Sequence, residues 1–282
     1  MPYLMHIAFD NPLRLAKRVH YFEYDGVRFK LIQNDPSKWS DVLLTIRNTF
    51  SDEDALPAVR AAGAFASAFS WQHDVGTSVR HIGGVGVPNS ARLKTARCRS
   101  FVFPELLVRK RASGVTLERI AHIENEMQRR ALAMYREAQS SNKSFLAILL
   151  NWQILDVAGT DARKWTNTVF SKRRDALSRV NSDIQHLELN GGRLGDVLEE
   201  EFRHAIAHVR RTPGRRELVF DDVRDFLRVE AASRVVRALA RLYICENLGV
   251  SRRRFLVRRS TRSYPTFVDE TQCQGRRLTR VR

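Results

Sequence analysis

The spacing of apolar residues along the chain predicts strands in its first third. Apolar and polar positions alternate over residues 21–32 around an Asp-Gly pair at 25–26, which predicts a β-hairpin. Helical spacing over residues 52–71, after an acidic start, predicts one helix packed on the sheet. The glycine-rich run at 83–89 predicts a turn. We therefore predict a mixed strand and helix domain over residues 1–111.

After residue 115 the apolar positions recur every three or four residues, which is the pattern of amphipathic helices. Short connections between such helices favour an up-and-down bundle over residues 112–250. The predicted fold class is therefore α+β, with an all-α bundle following the mixed domain. The predicted helices cover residues 120–135, 145–156, 161–186, 194–209 and 222–247, the last with a cap at Gly249.

The charge of the chain predicts a polyanionic partner. The 282 residues carry 48 Lys and Arg against 31 Asp and Glu, a net charge of +17. The basic residues are mainly arginine, whose planar fork suits phosphate oxygens, so nucleic acid is favoured over an acidic membrane. Residues 251–282 form a tail in which ten arginines against two acidic residues leave +8. The tail suits either an RNA backbone or an acidic protein partner, and its candidate nucleic-acid contacts are Arg252, Arg253, Arg254, Arg258, Arg259 and Arg262.

Cysteine usage and hydropathy indicate the cellular compartment in which the protein is expected. Cys98, Cys245 and Cys273 are isolated, and they suit neither a disulfide framework nor a cysteine-rich zinc site. No secretory signal is visible, and the most apolar window, residues 145–157, is too short to span a bilayer. We expect a cytoplasmic protein that does not bind a membrane.

One local pattern carries the parts of a catalytic site. Arg203 is followed directly by His204 and, five positions on, by His208. A guanidinium can hold a phosphate, and an imidazole can transfer a proton near neutral pH, so these residues could cut an RNA backbone without a metal ion or a cofactor. On a straight α-helix five residues correspond to about 140° of rotation, so one copy holds the Arg203 and His208 side chains apart. A two-fold partner would supply the complementary pair, which predicts a homodimer.

The pattern Arg203-His204-x-x-x-His208 resembles the signature of the HEPN superfamily. The segments at 133–139 and 145–156 look like the paired helices that precede this signature in the MauJ-like and ApeA-like branches, and the likeness covers about residues 115–250. The resemblance implies a dimeric, metal-independent endoribonuclease that acts as a toxin or anti-phage effector. The domain at residues 1–111 would then have a sensing or regulatory role, in which it detects a trigger or restrains the nuclease. It also implies an acidic residue near the site, and Asp156 fits that place as a group supporting the arginine or the histidine.

Two other functions fit the same residues. Glu200, His204 and His208 recur every four residues on one helix face and could bind a metal ion with a further ligand such as Asp156. Alternatively, Arg203 pairs with Glu200 or a neighbouring acid, and the bundle is a non-catalytic RNA-binding or scaffold subunit of a larger complex. A regulatory or complex-forming protein partner is a further expectation.

Overall fold

The computed structural model describes residues 3–34, 39–47, 52–86, 98–99, 111–115, 117, 120–207, 218 and 222–250. His208 and the tail from residue 251 onward therefore lie outside the described residues. The described residues divide into two compact units. One holds residues 3–63 and 79–117, and the other holds 64–78 and 120–250.

Antiparallel strands make up most of the first unit, as the alternating sequence pattern predicted. The main sheet has the order β3-β4-β5-β1-β6, with β7 paired to β5, while β2 and β8 form a separate parallel pair. The strands are β1 Tyr3–Asp10, β2 Leu13–Leu15, β3 Val19–Tyr24, β4 Val27–Ile32, β5 Trp39–Arg47, β6 Ser78–Gly86, β7 Cys98–Arg99 and β8 Arg111–Val115.

The predicted hairpin at residues 25–26 is confirmed. Tyr24 pairs with Val27, and the two residues between them have φ values of 51° at Asp25 and 73° at Gly26. Both φ values are positive, as the tightest hairpin turns require, and an Asp-Gly pair adopts them readily. The turn places Phe22, Phe29 and Leu31 in the core of the unit, where each is almost completely buried.

The glycine-rich run is a strand for its first part, so the turn predicted at residues 83–89 is wrong there. Gly83 to Gly86 belong to β6, which pairs with β1 in the sheet. Glycine weakens an isolated strand, but main-chain hydrogen bonds to a neighbouring strand hold it extended. The remaining residues of the run lie outside the described part of the chain.

A helix predicted from residue 52 is present as α1, Asp52–His73. The division between the two units falls inside it, and its last ten residues belong with the helices of the second unit. Within that unit Trp71 is fully buried and packs edge-on against Tyr135, with ring centroids 5.2 Å apart. Periodicity shows where a helix lies but not which elements it packs against, and the boundary at residue 111 stays a prediction.

Helices form the second unit, and the predicted α+β class is confirmed. They are α2 Glu126–Ser140, α3 Ser144–Asp156, α4 Ala162–Lys172, a 3₁₀ helix at Arg174–Val180, α5 Asn181–His186, α6 Leu194–Val197, a π-helical segment at Leu198–Arg203, α7 His204–Ala207 and α8 Val223–Glu246. Helix α8 packs against α3 and α2, and its predicted ends are confirmed by the Asp222 cap and by Gly249, which has φ of 70°. None of the described helices is both long and apolar enough to cross a lipid bilayer.

The single helix predicted over residues 161–186 is wrong. The α-helix stops at Lys172, Arg173 takes a non-helical conformation, and a 3₁₀ helix follows. The sequence contains no glycine or proline at this point. Arg173 instead forms an ion pair with Glu246 of α8, and the next turn buries Leu177. The break thus coincides with a tertiary contact, which local propensity does not show.

Candidate functional site

The segment that carries the candidate site is a composite of three short helical pieces, whereas a continuous helix over residues 194–209 was predicted. After α6 the backbone widens into the π-helical segment, and the His204 N–H donates to the Glu199 carbonyl five residues back. Such π turns are rare and often lie at functional sites. The extra residue rotates the subsequent residues by about 100° relative to an uninterrupted α-helix.

Burial divides this segment into an inner and an outer side. Leu198 and Phe202 are completely buried, whereas Arg203 and His204 are half-buried. The buried Leu198 and Phe202 side chains thus pack the π turn into the bundle, while Arg203 and His204 lie nearer the surface. The side chains of Arg203 and His204 are therefore partly accessible to solvent.

Asp156, the candidate supporting carboxylate, lies within electrostatic range of Arg203. It ends α3, which packs against the π-helical segment and α7. Partial burial raises the pKa of the Asp156 carboxyl, and the negative charges of Glu199 and Asp161 raise it further. The backbone N–H of Ala162 and the positive charge of Arg203 act in the opposite direction. The Arg203 charge therefore favours the ionised form of Asp156.

Arg203 is not engaged by the acidic residues that precede it. Within the part of the chain that the structure describes, its guanidinium has no hydrogen-bond or ion-pair partner. Glu199, the nearest acid one turn earlier, is paired instead with Arg163 of α4, with 3.4 Å between Nε and Oε2. Arg163 Nε also lies 3.8 Å from Asp196 Oδ1. Among the described residues, Arg163 thus pairs with both of these acids, and Arg203 pairs with neither.

Helix α4 supports the start of the segment through a close backbone approach at Gly195. The Gly195 N–H donates to Asn167 Oδ1 at 2.7 Å, and Asn167 Nδ2 donates to Asp196 at 3.2 Å. A Cβ at position 195 would lie 2.4 Å from the Arg163 carbonyl oxygen. Only glycine fits this contact, and nothing in the local sequence pattern indicated that position 195 supports the site.

Several predicted site residues lie outside the described residues. These are His208 and the tail arginines Arg252, Arg253, Arg254, Arg258, Arg259 and Arg262, so their roles stay predictions. Among the residues that were described, no group of three or more His, Cys, Asp or Glu side chains could hold a metal ion. The alternative metal site includes His208 and is therefore not tested.

Comparison with known proteins gives one match. No curated protein and no solved structure matches the chain. The model of the family described as methylamine utilization protein MauJ matches residues 131–245. The match covers less than half of the chain, from within α2 to near the end of α8, and it includes Asp156, Arg203 and His208. The helical unit that carries the candidate site is thus the part of this chain that is similar to the MauJ family.

Proposed function

We propose that this protein is a metal-independent endoribonuclease of the HEPN type, with Arg203 and His208 at its centre. The observation that carries the proposal is the half-buried Arg203 guanidinium, which has no ion-pair partner among the described residues and lies beside His204 at the end of a π turn. The match to the MauJ family supports the proposal, because the HEPN-like signature at Arg203–His208 falls inside the matched region.

RNA supplies the nucleophile for this reaction. The 2′-oxygen forms a bond to the adjacent phosphorus while the bond from phosphorus to the 5′-oxygen breaks. The proton of the 2′-hydroxyl passes to a base, and the leaving 5′-oxygen takes up a proton. The products are a 2′,3′-cyclic phosphate and a 5′-hydroxyl end. The enzyme has to move two protons and to stabilise the charge that builds on the phosphate, and neither task requires a metal ion.

Each proposed residue has its own role in proton transfer or in stabilising the charge on the phosphate. His208 transfers protons, since an unperturbed imidazole titrates near pH 6.5. Arg203 binds the phosphate and stabilises its transition state, because a guanidinium forms charge-assisted hydrogen bonds with phosphate oxygens. His204 orients the phosphate or carries the second proton. Asp156 supports Arg203 electrostatically, in keeping with the interaction between the two charges in the structure.

The proposal includes a two-fold assembly. Five residues correspond to about 140° on an α-helix, which would hold the Arg203 and His208 side chains of one copy apart, so we propose a homodimer in which two motif segments face each other. The charge of +17 favours RNA, and the tail arginines extend the contact with its backbone. In the cytoplasm such an enzyme would serve as a toxin or an antiviral defence effector. The first unit would then restrain or trigger cutting, alone or with a regulatory protein.

RNA cutting by purified protein tests the proposal. The full chain is incubated with end-labelled single-stranded RNA, with and without a chelator, beside Arg203→Ala and His208→Ala. We expect chelator-resistant cutting that each substitution lowers at least a hundredfold, since general acid–base catalysis and charge stabilisation each contribute about that much or more. Matched controls are Arg193→Ala, an exposed arginine before α6, and His186→Ala, an exposed histidine of α5. Both should stay within about threefold of the unsubstituted protein.

Three results would contradict the proposal. Cutting that stops when the chelator is added would favour the metal site. Cutting that survives Arg203→Ala would remove the guanidinium from the mechanism. RNA binding without cutting, unaffected by His208→Ala, would favour the alternative of a non-catalytic RNA-binding or scaffold subunit.

A further inference from the structure

A buried arginine on the neighbouring helix contacts the π-helical segment from its inner side. Arg228 of α8 is only 5% exposed. Its Nη2 donates to Glu201 Oε2 at 2.6 Å and to the Leu187 carbonyl at 3.2 Å. Its guanidinium carbon lies 5.4 Å from the centre of the Phe202 ring. Arg228 thus contacts Glu201 and Phe202, the two residues that immediately precede Arg203.

These contacts depend on the π-helical backbone. In an uninterrupted α-helix Glu201 and Phe202 would be rotated by about 100° relative to the preceding turn. In the structure the Glu201 carboxylate and the Phe202 ring both contact Arg228. A return to the α register would rotate these residues and thereby alter both contacts. Arg228 consequently favours the π register. Because Arg203 is the last residue of the π-helical segment, the same contacts help to set the orientation of Arg203.

Stability does not account for Arg228. A buried guanidinium carries a large desolvation penalty, and replacement of a buried ion pair by apolar groups is often neutral or stabilising. Two of the guanidinium nitrogens, Nε and Nη1, are buried without a hydrogen-bond partner in the described structure. Asp225 is the nearest further carboxylate, 3.9 Å from Nη1. In some proteins such buried ionic groups specify one conformation, which is the role inferred for Arg228.

We propose that Arg228 is a positioning residue that holds the π turn and thereby aims Arg203 at its ligand. Its effect on the backbone is independent of what the site does, whereas its effect on RNA cutting rests on the function proposed above. Arg228 is separated from the substrate by Phe202 and Glu201, so it acts through the segment and not by contact with RNA.

Arg228→Met tests the proposal, because methionine fills much of the space without the charge or the planar fork. The first measurement is amide hydrogen exchange at His204, whose N–H bond to the Glu199 carbonyl is specific to the π turn. We expect exchange to quicken at least tenfold at His204 and to stay unchanged in α2. The melting temperature should also fall, because Glu201 and the buried Asp225 lose a nearby cation. Arg228→Lys keeps the charge but not the fork, and it should restore protection in part. The control is Arg234→Met on the same helix, where the arginine is 53% exposed and pairs with Asp183.

The second measurement is RNA cutting by the same variants. We expect the maximal rate to fall about tenfold for Arg228→Met while KM changes less than twofold, since a misdirected Arg203 loses mainly transition-state interactions. Should Arg228→Met fail to fold, Glu201→Gln weakens the same ion pair from its more exposed side and should quicken His204 exchange as well. Unchanged His204 exchange in the folded variants would overturn the proposal. A protein that cuts no RNA, but whose His204 exchange responds as expected, would overturn the ribonuclease and leave the positioning role intact.

Discussion

A single carboxylate ties three helices of the second unit together, and its removal should lower stability measurably. Asp74 directly follows α1 with φ of 58°. Its Oδ1 accepts hydrogen bonds from the Tyr135 hydroxyl of α2 at 2.5 Å and from Arg237 Nη2 of α8 at 2.6 Å. Its Oδ2 accepts one from Arg241 of α8. The end of α1 is thus joined to α2 and α8 through three charge-assisted hydrogen bonds.

Asp74→Asn removes the charge with little change in shape. Asparagine tolerates the left-handed backbone conformation, so the substitution adds no strain of the kind that alanine would. The asparagine side chain keeps one acceptor oxygen, but its NH₂ group takes the place of the other oxygen and cannot accept a hydrogen bond from an arginine. A hydrogen bond to a charged group contributes about 1.5–3 kcal/mol, and one or two of the three are lost or weakened. We therefore expect the free energy of unfolding to fall by about 2–4 kcal/mol.

Urea denaturation at pH 7 measures this loss through tryptophan fluorescence. Trp71, Trp152 and Trp165 lie in the unit that holds Asp74, and Trp71 packs directly on Tyr135. The control is Asp25→Asn in the β-hairpin, where an exposed aspartate also has positive φ. Its effect should stay within about 0.5 kcal/mol. A loss below that value for Asp74→Asn would refute the assignment of Asp74 as the junction of the three helices.

The pH dependence provides a second check on Asp74. Burial disfavours its charge, but the hydrogen bonds from Tyr135 and Arg237 and the charges of Arg237 and Arg241 outweigh burial, so the pKa of Asp74 lies below its ordinary value. The stability that this carboxylate contributes is therefore fully present above the unfolded pKa of about 3.8 and is lost as the pH falls through the folded pKa. The difference between the unsubstituted protein and Asp74→Asn should shrink only below about pH 4.

Three further substitutions give separate outcomes. Gly195→Ala should destabilise the second unit by about 1–3 kcal/mol in urea denaturation, because the added Cβ would lie 2.4 Å from the Arg163 carbonyl oxygen. Gly114→Ala is the control, and it should have a smaller effect because the nearest atom to its Cβ lies at 3.4 Å. Asp222→Ala removes the side chain that caps α8 and should lower the free energy of unfolding by about 1 kcal/mol. Asp156→Asn should leave the melting temperature at pH 7 unchanged or higher, because burial raises the pKa of Asp156 and the folded state therefore disfavours its charge. The same substitution should lower the rate of RNA cutting.

Elements with locally encoded ends were predictable from the sequence. The hairpin at residues 25–26 follows from the two positive φ values that an Asp-Gly pair supplies. Helix α8 follows from its apolar periodicity together with Asp222 and Gly249 at its ends. In each case residues within a few positions of one another determine the structure, so a pattern in the chain is sufficient.

Elements that depend on distant contacts were not predictable in the same way. The break at Arg173 coincides with an ion pair to Glu246, and β6 contains glycines that are held by pairing with β1. Within the site, Arg203 was identifiable from a short motif. Arg228 was not, since it lies 27 residues from Glu201 along the chain and its sequence context is that of an ordinary helix arginine. Gly195 likewise has a role only because α4 approaches it closely.

The most direct test of the central claim uses a substrate that lacks the internal nucleophile. An RNA oligonucleotide is mapped for its cutting site and then resynthesised with a single 2′-deoxy sugar on the 5′ side of the scissile phosphate. The account predicts that the all-ribose strand is cut to a 2′,3′-cyclic phosphate end and that the substituted strand is not cut at that phosphate. Cutting of the deoxy-substituted strand at the same phosphate would contradict it.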